Sequence, residues 1–229
     1  RDVAPSRGLG DVYKRQTEAN PDFHLDLIGF DACLMATYEA AAHMQYYADF
    51  MVASEELEPS LGWNYAWLNA LGENPALDAQ GIGVAIADAY MEACLDENPD
   101  DYLSMSVLYL PAMDYLVSTM ETYASYLSQA LDAGQLSTFS RARQRMYAFG
   151  DFDSATSDMV DMMALIDGTR TIAPQTADVL QTAYKRVVRY NVGTRKFDYL
   201  TGMSVYFPSG SYEGDGCPVS YTHLTLPTI

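Results

Sequence analysis

The stretch from Leu25 to Ser54 constrains the chain most. "LDLIGF" (25–30) is a short apolar run closed off by polar residues, the pattern of a buried strand. "LMATYEAAAHMQYY" (34–47) is rich in helix formers and free of Gly and Pro, so it reads as a helix. "FMVAS" (50–54) is a second apolar run. Strand, helix and strand within about 30 residues form a crossover between parallel strands. A parallel pair needs both faces covered, which commits the chain to an α/β architecture.

The remaining elements fit that layer. "EELEPSLGWNY" (55–65) is a loop punctuated by Pro59 and Gly62. Helices are expected at 64–71, 77–95, 112–132 and 135–148, a short one within "MVDMMALID", and one over 174–192. Strands are expected at 103–110 and 201–208, which makes four strands and a helical second half.

Charge narrows the classes of function. Lys and Arg number 13 against 31 Asp and Glu, a net charge of −18. Nucleic-acid binding needs a basic face and is excluded as an expectation. Cationic ligands suit such a chain better. No run approaches the roughly 18 apolar residues of a membrane span. Three cysteines, Cys33, Cys94 and Cys217, give no disulfide framework. No CxxC pair and no His pair at ligand spacing occur, so a zinc or redox role ranks last and no metal ligands are assigned.

The ends read as foreign to the rest. Residues 1–16 lack apolar periodicity and carry four of the 13 basic residues. "DVYKRQ" and the terminal "VSYTHLTLPTI" resemble translated adapter sequence. The expected division is therefore 1–16 non-native, 17–215 one domain and 216–229 non-native, which also removes Cys217 and His223 as site candidates.

Cys33 follows the first strand at the sheet edge where α/β folds bind ligands. The next helix is expected to begin at once, so that its N-terminus stabilises a thiolate and its free N–H groups, that of Cys33 included, can hold an oxyanion. Cys is also among the most buried residue types, so packing is the plain alternative. Acyl transfer needs a base. His43 lies about 15 Å along the expected helix and His24 enters the strand from its far end, so neither serves Cys33. Cys94, on a helix face with Ala87, Tyr90 and Met91, reads as core, and Tyr109, Tyr115, Tyr123 and Tyr126 as a core or groove stripe.

"LIGFDACLMATYEAA" followed by "YADFMVASEELEPSLGWNY" resembles the clostripain family of cysteine endopeptidases, as do "NALGENPALD", "DMVDMMALID" and "GMSVYFP". The likeness covers about residues 17–214. It implies a caspase-like α/β fold, incomplete at the N-terminus, with Cys33 as nucleophile. Peptide substrates cut after Arg or Lys follow from it, with Asp31 lining the pocket for the basic residue. Asp31 lies two residues before Cys33 and so shares its strand face; an N-cap role is the alternative. One of Glu55, Glu56 and Glu58 is expected to help hold the basic residue or a cation, a solvated loop being the alternative, and Trp63 to wall a subsite or to serve as a packing anchor. The resemblance also supplies a catalytic His from a His-Gly segment upstream of Cys33, which this chain does not show. The chain itself is then expected to be an inactive fragment. Calcium dependence occurs in the family, and an extracellular or cell-surface bacterial location is implied. The competing expectation is a non-catalytic secreted or surface domain of the same fold that binds basic peptides.

Overall fold

The computed structural model describes residues 23–150, 157–194, 197 and 199–208. The two ends expected to be foreign lie outside these residues. β1 (Leu25–Gly29) leads through α1 (Tyr38–Met44) to β2 (Ala48–Ala53). Then come α2 (Trp67–Glu73), α3 (Ala79–Glu97), β3 (Ser104–Tyr109), a short 3₁₀ turn and α4 (Met113–Asp132). The second half holds α5 (Leu136–Arg143), β4 (Met159–Asp161), α6 (Met162–Thr169), α7 (Pro174–Val187), β5 (Val188–Gly193) and β6 (Ser204–Tyr206).

The main sheet has the order β1-β2-β3-β5. β1 and β2 are parallel, with Leu27 opposite Phe50 and Gly29 opposite Val52. β3 runs antiparallel to both β2 and β5. Strand alternation then sorts side chains onto two faces. Met51, Ala53 and Leu108 join one core with residues of α1, α4 and α7. Val52, Met105 and Val107 join the other, under Ile86, Ala87, Tyr90 and Cys94 of α3. The result is a mixed sheet between helical layers, the caspase-like α/β class expected. Among the described residues no helix is long and apolar enough to cross a membrane.

Three expectations need correction. The run 174–192 is not one helix: α7 stops at Val187 and the chain continues directly into β5. The β-branched pair Val187-Val188 and the alternating "VRYNV" favour extension once β3 offers a free edge. "MVD" (159–161) is a strand, pairing with β6 through Met159–Tyr206 and Asp161–Ser204. Its last residue, Asp161, caps α6 by accepting from the Ala164 N–H at 2.9 Å. The tyrosine stripe does not form one surface: Tyr123 is fully buried, whereas Tyr115 and Tyr126 are exposed. Cys94 is buried at 1 % exposure, as core packing requires.

A side chain at two helical glycines would have opposite effects. A Cβ on Gly83 of α3 would lie 2.9 Å from Val107 Cγ1 and 3.1 Å from Val52 Cγ2, so α3 sits on the sheet at glycine distance. Gly72 of α2 has nothing within 4 Å. Gly83→Leu is expected to destabilise the fold by about 1–3 kcal/mol through overpacking, whereas Gly72→Ala should stabilise it by roughly 0.5–1 kcal/mol through helix propensity. Paired thermal-unfolding curves check both signs.

Candidate active site

Parallel pairing brings the ends of β1 and β2 to one edge of the sheet, and the site is built there. The Phe30 N–H still donates to Val52 O at 3.0 Å. Residues 34–36 then run back along the extension of β2: Leu34 N–H to Glu56 O at 3.1 Å, Ala36 N–H to Ser54 O at 2.8 Å. Between them Asp31, Ala32 and Cys33 form a tight reversal, and all three are exposed. The reversal is closed by Leu34, whose φ of +60° is left-handed and unfavourable for a branched side chain. The cost, roughly 1–2 kcal/mol, is offset by packing of Leu34 against the Phe149, Phe197 and Leu200 cluster.

Cys33 is therefore not at a helix N-terminus. The expected helix start at 34 moves to Tyr38, where Thr37 takes the N-cap and its Oγ1 accepts from the Ala40 N–H at 2.9 Å. The first turn of α1 serves Thr37, and the thiol is held by other means. Cys33 Sγ accepts from the Glu58 N–H at 3.2 Å, a contact across 25 residues of sequence.

Trp63 gathers the rest. Its backbone N–H donates to Asp31 Oδ2 at 3.2 Å, and its indole Nε1–H donates to Glu58 Oε2 at 3.1 Å. One residue thus clamps two carboxyl groups beside the thiol. Two glycines make room for it. A Cβ on Gly29 would lie 2.7 Å from the Trp63 ring, and one on Gly62 would lie 3.3 Å from Asp31 Oδ2. Gly62 also takes φ +70°, which closes the Pro59–Gly62 turn that aims Trp63.

Glu58 Oε1 is buried without a hydrogen-bond donor. Burial, and then the neighbouring Asp31, push the Glu58 carboxyl up to about 8. Tyr90 and Cys94 of α3 lie beneath it, and burial raises both, Cys94 to about 11. The region under the thiol is thus uncharged and acceptor-rich, with no cation facing Glu58 among the groups that act on it.

The structure places Glu55 and Glu56 differently from the sequence expectation. Both are buried, at 0 % and 4 % exposure, and neither faces the open reversal. Glu56 accepts from the Leu57 N–H (2.8 Å), the Gly150 N–H (2.9 Å) and the Tyr147 hydroxyl (2.8 Å). Glu55 Oε2 accepts from the Gly202 N–H at 2.9 Å, and burial followed by the Asp161 carboxyl raises its pKa well above the ordinary value. These two carboxyls tie the end of β2 to the 147–150 and 201–203 segments. The acid that stands beside Cys33 is Glu58. Its sequence signal was its spacing: Glu56 and Glu58 share a strand parity, and only the turn at Pro59 decides which one reaches the surface.

Both described histidines are out of reach. His24 precedes β1 and pairs with Asp49 at the start of β2, 3.0 Å away, at the opposite edge. His43 lies in the last turn of α1, its ring 5.6 Å from that of Tyr47. His223 lies outside the described residues. Among the described residues no group of three or more His, Cys, Asp or Glu is placed to hold a metal ion, so no chemical step is routed through calcium.

Comparison with known proteins agrees with this fold. The sequence model of the clostripain family, peptidase C11, matches residues 14–213. An inactive zymogen C11 protease from Parabacteroides distasonis superposes with a TM-score of 0.62 at 18% identity, over 86% of this chain and 56% of that one. This chain thus spans little more than half of that zymogen's length. A clostripain from Bacteroides thetaiotaomicron, in complex with the peptide inhibitor BTN-VLTK-AOMK, gives 0.61 at 13% identity, over 87% and 85%. A B. fragilis cysteine protease gives 0.54 at 17%, over 91% and 87%. No curated protein matches the sequence.

Glu58 makes stability depend on pH with a defined sign. Its folded pKa, about 8, exceeds the usual 4.5, so its contribution is fully present below about pH 4.5 and is lost as pH rises through about 8. Glu58→Gln is expected to flatten the fall in Tm between pH 5 and 8.5 and to make the variant the more stable protein at the alkaline end. Parallel Tm–pH profiles of the two proteins check this; identical slopes would show Glu58 ionised throughout.

Proposed function

The chain belongs to the clostripain family, and on that premise we propose that its site is that of a cysteine endopeptidase cutting after Arg or Lys. The observation that carries the reading is the clamp: an exposed thiol, with two carboxyls fixed beside it by the two N–H groups of Trp63. A cationic side chain entering next to Cys33 meets Asp31 first and Glu58 behind it, so its charge is matched on the substrate residue preceding the scissile bond. The peptide inhibitor bound by the B. thetaiotaomicron clostripain, whose sequence VLTK ends in Lys, supports the same choice.

The chemistry follows. Cys33 Sγ attacks the scissile carbonyl carbon and a histidine removes the thiol proton. The same histidine returns the proton to the departing amine as the C–N bond breaks, leaving a thioester. Water then adds to the thioester and frees Cys33. The backbone N–H of Cys33 is the oxyanion donor in this reading. His24 and His43 are both remote from the thiol, and the family resemblance implies a base carried on a His-Gly segment. The 229-residue chain by itself then binds and is alkylated but does not turn over. Calcium dependence and an extracellular or cell-surface site of action belong to the same reading; a secreted C11 protease among the structural neighbours favours the latter.

Alkylation tests the site without a base. A peptidyl chloromethyl ketone ending in Lys is expected to modify Cys33 at least tenfold faster than its norleucine counterpart, while iodoacetamide reacts equally with wild type and Asp31→Asn. Asp31→Asn should remove most of the preference. Equal rates for the two ketones in the wild type would sink the specificity and leave a fold relative without a basic-residue pocket.

A further inference from the structure

Two carboxyl groups held side by side by one residue disfavour each other's ionisation until a cation comes between them. Asp31 is exposed, and Glu58 lies behind it with one oxygen buried and without a donor. Every titratable group that acts on Glu58 is acidic or neutral. Asp31 comes from the β1 reversal, Cys33 from the same reversal, and Tyr90 and Cys94 from α3. No Lys or Arg is among them.

Resting on the basic-residue reading above, we propose that this pocket exchanges a proton for its cation: entry of an Arg or Lys side chain at Asp31 expels the proton that Glu58 carries in the empty site. The balance is simple. Glu58 is a carboxylic acid before the side chain enters and a carboxylate afterwards, and the proton goes to solvent. The guanidinium or ammonium brings one positive charge as the proton takes one away, so the pocket's charge does not change on filling and the buried floor of Tyr90 and Cys94 meets no added charge. The position of Glu58, up to about 8, makes the exchange nearly stoichiometric at neutral pH. Reciprocity of linked equilibria then requires that basic peptides bind more tightly as pH rises. A neutral side chain of the same shape gains nothing from Glu58, so proton exchange is also a selectivity device.

Calorimetry on the 229-residue chain carrying Cys33→Ala, which removes the thiol as a proton source, decides the matter. The probe is acetyl-Ala-Ala-Arg-amide, with the citrulline peptide as its uncharged counterpart. Titrations at pH 7 in phosphate and in Tris, buffers of different ionisation heat, read the protons released. Release of about 0.7–0.9 proton per Arg peptide is expected at pH 7, falling to about 0.1 at pH 9, as a group near 8 demands. Affinity should rise about twelve- to twenty-five-fold between pH 6.5 and 8.5. Adding Glu58→Gln should abolish the release. Binding of the Arg peptide with no buffer dependence, or release that survives Glu58→Gln, overturns the exchange while leaving the basic pocket standing. No preference for the Arg over the citrulline peptide overturns the pocket itself. Should Glu58→Gln fail to fold, the Cys33→Ala chain alone still discriminates: release that disappears between pH 7 and 9 supports the exchange, and release that persists at pH 9 overturns it.

Discussion

The parallel pairing of β1 with β2 is the constraint from which the site follows. Parallel register sends both strands out of the sheet at the same edge, so the reversal at Asp31–Cys33 and the loop Leu57–Trp63 emerge as neighbours. Hydrogen bonds then hold each to the other: Leu34 to Glu56, Cys33 to Glu58, Asp31 to Trp63. An antiparallel β1 would put the thiol and Glu58 at opposite ends of the sheet. The antiparallel β3 and β5 complete the layer. What they add to the site is support from below: Ser104 Oγ accepts from the Glu55 and Glu56 N–H groups at 3.0 and 3.2 Å and fixes the exit of β2.

Acidic side chains at this edge divide into two groups by what surrounds them. Glu55 and Glu56 are interior and accept from main-chain N–H groups of Gly202 and Gly150. Asp31 and Glu58 face the thiol and are held by N–H groups of a single tryptophan. The distinction matters for any substitution. Removing an interior carboxyl leaves buried donors unpaired and costs folding energy, typically about 1–3 kcal/mol. Removing an edge carboxyl instead frees an N–H group of Trp63 and alters the charge beside the thiol.

Much of this was legible from residues alone, and the misses have physical causes. β1, β2 and the amphipathic α4 carry patterns that local propensity and burial both favour, so sequence and structure agree there. Asp31 and Cys33 were expected together from their spacing at the end of β1, and Trp63 beside them from the family resemblance. The start of α1 was missed because "LMAT" is a good helix former locally, yet Ala36 and Thr37 pair with Ser204, 168 residues away from Ala36. No local pattern reports so distant a partner. β5 was missed for the same reason, since its partner β3 lies about eighty residues upstream. The orientation of Glu55, Glu56 and Glu58 depends on where strand geometry yields to the turn at Pro59, a boundary that periodicity places only to within a residue or two.

The link between Ala36 and Ser204 sets the order in which the molecule can be completed. The Ser204 N–H donates to Ala36 O at 2.8 Å, immediately behind the reversal that carries the thiol. That bond joins the segment between β1 and α1 to the last described strand, so the reversal lacks one of its supports until nearly all of the domain has been synthesised. On a ribosome Cys33 emerges early and this backing arrives late. Contacts of such long sequence separation form slowly, because loop-closure entropy must be overcome first. A nascent chain therefore carries the Asp31–Cys33 reversal without this support until β6 has been made, so the geometry around the thiol is among the last features of the described fold to be fixed.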